Sequence, residues 1–87
     1  MIINTTDGLE IDVDGDAFDN MEVLDAMRGM TDDDPLALST FCDLVFSKQE
    51  KKKLYDFCRE DDGKVPLAKV ISLVTEIISS INQPVKN

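Results

Sequence analysis

Residues 34–60, DPLALSTFCDLVFSKQEKKKLYDFCRE, decide the fold class. Asp34-Pro35 opens a helix, with Asp as the N-cap and Pro at the first helical position, where its missing N–H costs nothing. Leu38, Phe41, Cys42 and Val45 then fall at i, i+3, i+4 and i+7, which is helical periodicity. Ser47 starts the next helix as N-cap, with Glu50 three residues on, the pattern of a capping box. That helix is expected to run to about Glu60, to bury Leu54, Phe57 and Cys58, and to stop before Asp62-Gly63. Two consecutive capped helices make the chain mostly α.

Working outward, Pro66 marks a further helix start. The segment beyond it carries Leu67, Val70, Ile71, Leu73, Val74, Ile77, Ile78 and Ile81, and Pro84 ends it. This stripe is wider than the apolar face of a typical surface helix. Two readings follow: a central core helix, or one that keeps part of its apolar face open for a partner. On the other side, Asp19 is placed as the N-cap of a first helix, with Glu22 at N3 and Phe18 and Val23 at the staple positions. Met21, Leu24 and Met27 form its inward face and Gly29 its C′ residue. Ile2 to Asp14 reads as a β-hairpin closed by a two-residue turn at Asp7-Gly8. That turn pairs Ile2 with Val13 and Asn4 with Ile11, and puts Ile2, Leu9, Ile11 and Val13 on one face. A lone hairpin is marginal in water, so this face must rest on the helices. The expected architecture is an N-terminal β-hairpin (1–14) and a bundle of about four helices (19–82), with a flexible tail over 83–87. All three lie in a single domain spanning 1–87.

Composition excludes several function classes. The chain has 87 residues, with 18 acids, 9 bases and a net charge of −9. Such a charge aids solubility and steers a chain toward basic surfaces. It opposes binding to a nucleic-acid backbone, which needs clustered positive charge. With no Trp and five other aromatics, the core is expected to be aliphatic. No apolar run approaches the roughly 18–20 residues that span a bilayer, and the N-terminus lacks the basic segment of a signal peptide, so no membrane association is expected. Cys42 and Cys58 form no CxxC and are expected to be reduced, buried core thiols of a cytosolic chain.

No catalytic or metal centre is expected, and no cofactor. The chain has no His, which removes the commonest general base and the commonest metal ligand. Glu10, Asp12, Asp14, Gly15 and Asp16 superficially resemble a calcium loop, but neither register supplies the bidentate Glu at position 12. Lys48, Lys51, Lys52 and Lys53 are the only basic cluster and read as a solvated helix face. Met21, Met27 and Met30 read most simply as core filling, with an adaptable binding surface as the alternative.

Three stretches, in order, carry a resemblance to a known family: Asp19-Asn20-Met21-Glu22-Val23-Leu24; Asp33-Asp34-Pro35-Leu36-Ala37-Leu38; and Glu50-Lys51-Lys52-Lys53-Leu54-Tyr55 through Arg59-Glu60-Asp61-Asp62-Gly63-Lys64-Val65-Pro66 into an Ile-rich helix that ends at Lys86-Asn87. Together they make the chain resemble the small tail assembly chaperones of siphophages and prophages of Gram-positive bacteria. These motifs are helix-boundary signals and not catalytic signatures. Phe41, Cys42 and Phe46 stand where plainer aliphatics are expected in that family, and Ser47 where Gly is usual. The resemblance implies a non-enzymatic protein of the host bacterial cytoplasm, absent from the mature virion, that binds and solubilises the tape measure protein during tail morphogenesis. It implies contact with the tail tube protein through an extended frameshift product, if one is made; Val85-Lys86-Asn87 is compatible with the slippery codons GTA-AAA-AAC. Homo-oligomerisation is left open. The residues expected to meet the partner are Met27, Met30, Ile71, Ile78 and Ile81. The competing reading is an acidic nucleic-acid mimic or a regulatory adaptor of phage origin.

Overall fold

A computed structural model describes residues 1–82; the expected tail over 83–87 and the stop at Pro84 lie outside the described residues. The chain is mostly α, with one small antiparallel hairpin. Strands β1 (Ile2–Asn4) and β2 (Glu10–Asp12) are followed by a 3-10 turn over Gly15–Phe18. Helices α1 (Met21–Thr31), α2 (Pro35–Val45), α3 (Lys48–Cys58) and α4 (Leu67–Asn82) complete the order.

The hairpin register differs by one residue from the expected pairing: Ile2 faces Asp12, Ile3 faces Ile11 and Asn4 faces Glu10. The turn is longer than the Asp7-Gly8 reading allows. Gly8 N–H donates to the Thr5 carbonyl and Thr5 N–H to the Leu9 carbonyl, so the loop holds three residues, with Gly8 alone at positive φ (+100°). This is a β-turn followed by a bulge at glycine, which leaves Asp7 in ordinary backbone space. Thr5 fixes the choice, since its buried hydroxyl accepts the Leu9 N–H (3.0 Å) and donates to the Leu9 carbonyl (3.3 Å). A slip of one residue turns a strand over. Ile3 is therefore buried and Ile2 is 54% exposed, while Leu9, Ile11 and Val13 point inward as expected.

The first helix starts one residue later than expected. Asp14 accepts the Asp16 N–H and begins the 3-10 turn, and Asp19 closes it by donating its N–H to Asp16. Asn20 is left as the N-cap of α1, accepting the Glu22 N–H at 2.9 Å. Phe18, displaced from the staple position, packs edge-on against Phe41. Nor does Gly29 end the helix. Asp34 N–H reaches the Gly29 carbonyl and Asp33 N–H the Met30 carbonyl, a Schellman closure with Asp33 in the left-handed position (φ 64°). Gly29 sits inside α1 because a Cβ there would stand 2.5 Å from the Ala37 Cβ, so the α1–α2 contact requires its absence. The buried residues of α1 are Val23 and Ala26, whereas Met21 and Leu24 are exposed and Met27 is half-buried, correcting the expected face.

The next two helices begin where the sequence places them, with Leu36 N–H donating to Asp34 (3.0 Å) and Glu50 N–H to Ser47 (3.2 Å). Only half of the capping box forms at Ser47. The Glu50 carboxylate takes the Asp12 N–H of β2 instead (2.8 Å) and pins the hairpin to α3. Helix α3 ends at Cys58, short of Glu60, and Phe57 is 43% exposed where burial was expected.

One apolar cluster joins the hairpin and all four helices, drawing on Ile11, Val23, Phe41, Leu54 and Ile77 among others. It is largely aliphatic, but its centre is aromatic: Phe41, fully buried, meets Phe18 and Phe46 edge-to-face at 5.9 and 6.2 Å. Such pairs add roughly 0.5–1.5 kcal/mol beyond area burial.

Candidate partner-binding groove

Helix α4 presents two neighbouring apolar columns. Val70, Leu73, Val74 and Ile77 are sealed in the core. Leu67, Ile71 and Ile78, with Thr75 and Ser79, form the second column, beside α1 and the start of α2. Between them lies a groove of about 550 Å³, open to solvent. Met27 and Met30 of α1 face Leu67, Ile71 and Ile78 of α4 across it, buried Leu38 lines it from α2, and Asp33 and Asp34 of the α1–α2 turn line it together with the flanking helix ends, Thr31 and Pro35. The volume falls in the range of clefts that accept small molecules or partner side chains. Leu67 (58% exposed) and Ile71 (47%) leave much of their surface to water. Removing such surface from water is favourable by about 25 cal/mol per Å².

Four of the five residues expected to contact a partner, Met27, Met30, Ile71 and Ile78, therefore share one groove. Ile81 lies one turn beyond Ile78 on α4, half-buried against the core, and does not line the groove. Sequence reasoning missed Leu67, Leu38, Thr75, Ser79 and the residues at and beside the α1–α2 turn. Leu67 was within reach, since Leu67, Ile71 and Ile78 follow i, i+4, i+11 on one helical face. The turn residues were not, because only tertiary packing brings the Schellman turn to α4.

Away from the groove, most of the clustered lysines have structural partners. Lys51 pairs with Asp43, Lys52 with Asp56 (2.6 Å) and Lys53 with Glu50 (3.2 Å), so three of the four clustered lysines are held in ion pairs on the surface of α3. Beside them, Lys52 and Arg59 hold the Asp56 carboxyl below its usual range, and Asp43 raises the Lys51 ammonium. Cys42 and Cys58 are free and buried. Burial first, then the neighbouring Asp43, pushes the Cys42 thiol up to about 11, partly offset by Lys51 and by a hydrogen bond with Tyr55. Burial also raises Cys58. A thiol held protonated is a poor nucleophile and a poor metal ligand. Among the described residues, no group of three or more His, Cys, Asp or Glu is arranged to hold a metal ion, and no helix is long and apolar enough to cross a membrane.

Comparison with protein families, with curated proteins and with solved structures finds no match for this chain.

Proposed function

We propose that this chain is a non-enzymatic tail assembly chaperone of a phage or prophage, which binds the tape measure protein in the host cytoplasm and keeps it soluble until the tail tube grows around it. The observation that carries the proposal is the groove between α1 and α4, whose floor and walls rest on the core through Leu38, Met27, Met30 and Ile78 while Leu67 and Ile71 stay open to water. A domain of this size has little stability to spare, and the apolar surface that Leu67 and Ile71 leave in water contributes nothing to it. A tape measure protein is a long helical chain with apolar stripes that self-associate when bare. A groove walled by Met27, Met30, Ile71 and Ile78 suits such a stripe, because helix-in-groove recognition uses anchors at i, i+3, i+4 and i+7, and Met side chains adapt to varied anchors. The sequence resemblance supports this choice of partner, and the groove offers a means of holding it.

Co-expression tests this reading. The chain is produced with the tape measure protein of its own tail gene cluster, and the soluble fraction of that protein is measured with the wild type and with Ile71→Asp. The wild type should raise the soluble fraction and co-purify with the tape measure protein, and the variant should do neither while keeping its helical circular dichroism. No complex and no gain in solubility with the wild type overturns the proposal.

A further inference from the structure

We infer that the groove selects a basic amphipathic helix, one whose apolar anchors are flanked by Lys or Arg, over an acidic or neutral helix of equal apolarity. This rests on the groove being a docking site, as proposed above, and goes further in specifying the chemistry of what docks. Among the described residues, Asp33 and Asp34 are the only charged ones that line the groove. Among the described residues, neither they nor exposed Asp32 beside them meets a Lys, an Arg or the N-terminus within ion-pair distance. Three of the paired lysines, Lys51, Lys52 and Lys53, sit on α3, and Lys69 of α4 pairs with Glu60; none of them lines the groove. An incoming cation therefore meets carboxylates that no other cation neutralises, although Asp34 also caps α2, at the mouth of an apolar cleft on a body of net charge −9. Complementary charge of this kind raises the encounter rate and excludes like-charged partners. The same charge argues against a second copy as occupant, since docking would bring two bodies of −9 together with the acidic turn at the contact.

The test uses the full chain and two synthetic helical peptides with identical Leu and Ile anchors at i, i+3, i+4 and i+7, one flanked by Lys and the other by Glu. Binding is followed by fluorescence anisotropy at low and high salt, with sedimentation of the chain alone in parallel. The Lys-flanked peptide is expected to bind at least tenfold more tightly at low salt, with most of that preference lost at about 0.5 M salt, where the Debye length is only a few ångströms. Asp33→Asn, which keeps a residue tolerant of the left-handed backbone, should reduce the preference several-fold without loss of helical signal. Equal affinity for both peptides, each weakened by Ile71→Asp, overturns the charge inference and leaves the groove reading standing. If neither peptide binds, or Ile71→Asp changes nothing, both fall. Dimers dispersed by Ile71→Asp overturn the inference in favour of a second copy.

Discussion

Gly29 is where the absence of a single atom sets the geometry beside the groove. It faces Ala37 of α2, and an added Cβ would meet the Ala37 Cβ at 2.5 Å, a separation that real Cβ atoms essentially never show. The obstruction is a methyl group fixed to the backbone of α2, so relief requires the two helices to part. Alanine is otherwise the better helix residue by about 1 kcal/mol. Overpacking a close contact costs typically about 1–3 kcal/mol, so strain should win. Gly29→Ala is therefore expected to lower stability by about 1–2 kcal/mol in urea denaturation, and Ala37→Gly added to it should recover part of the loss. A stabilised single variant would show that the helices separate freely. Because Met27 and Met30 flank Gly29 on α1, parted helices would also shift one wall of the groove. The tight contact thus fixes the spacing on which the anchors of the proposed partner would depend.

At the scale of elements, the hairpin is attached to the helices by two carboxylates as well as by its apolar face. Glu50 at the start of α3 accepts the Asp12 N–H, and Glu76 of α4 accepts both the N–H (2.7 Å) and the hydroxyl (3.2 Å) of Thr6 in the turn. Hydrogen bonds to a charged acceptor are worth about 1.5–3 kcal/mol, less where water competes as it does at Thr6. Glu76→Ala should cost about 1–2 kcal/mol and speed hydrogen exchange of the hairpin amides, such as those of Ile3 and Ile11, more than those of α2. Unchanged hairpin exchange would mean that the apolar contacts alone hold it. These clamps also mark how far the sequence could be read. The starts of α2 and α3 were legible because Asp34 and Ser47 act on backbone N–H groups two or three residues away. The hairpin register was not, because Asp7-Gly8 suits two turn types and the choice rests on the buried hydroxyl of Thr5. Glu50 reads as a capping-box residue in sequence but serves the hairpin, a competition visible only once β2 lies beside α3. The groove was legible in half: the excess apolar width of α4 is periodic and local, whereas its pairing with Met27, Met30 and the Asp33 turn depends on how α1 packs.

At the scale of the whole molecule, attraction and repulsion among surface charges compete, and their balance is measurable. Of the 18 acids, Asp12, Asp43, Glu50, Asp56 and Glu60 meet a cation within ion-pair distance. Those pairs lie at the surface, where each contributes about 0–1 kcal/mol and is screened by salt. The other acids repel one another across a body whose net charge is −9, and the runs at Asp32–Asp34 and Asp61–Asp62 concentrate that repulsion. Salt weakens both effects, so the sign of its effect on stability reports which is larger. With most acids unpaired, repulsion should dominate, and Tm should rise by several degrees between about 20 mM and 0.5 M NaCl, since roughly 1 kcal/mol moves Tm by about 4–8 °C in a domain of this size. A falling Tm would mean that the ion pairs of α3 outweigh the repulsion. The expected sign bears on the proposed role, because the charge that costs the isolated chain stability is what would keep neighbouring copies apart along a long partner. On the proposed reading, the chain would give up part of its own folding stability so that its loaded complexes repel each other and stay in solution.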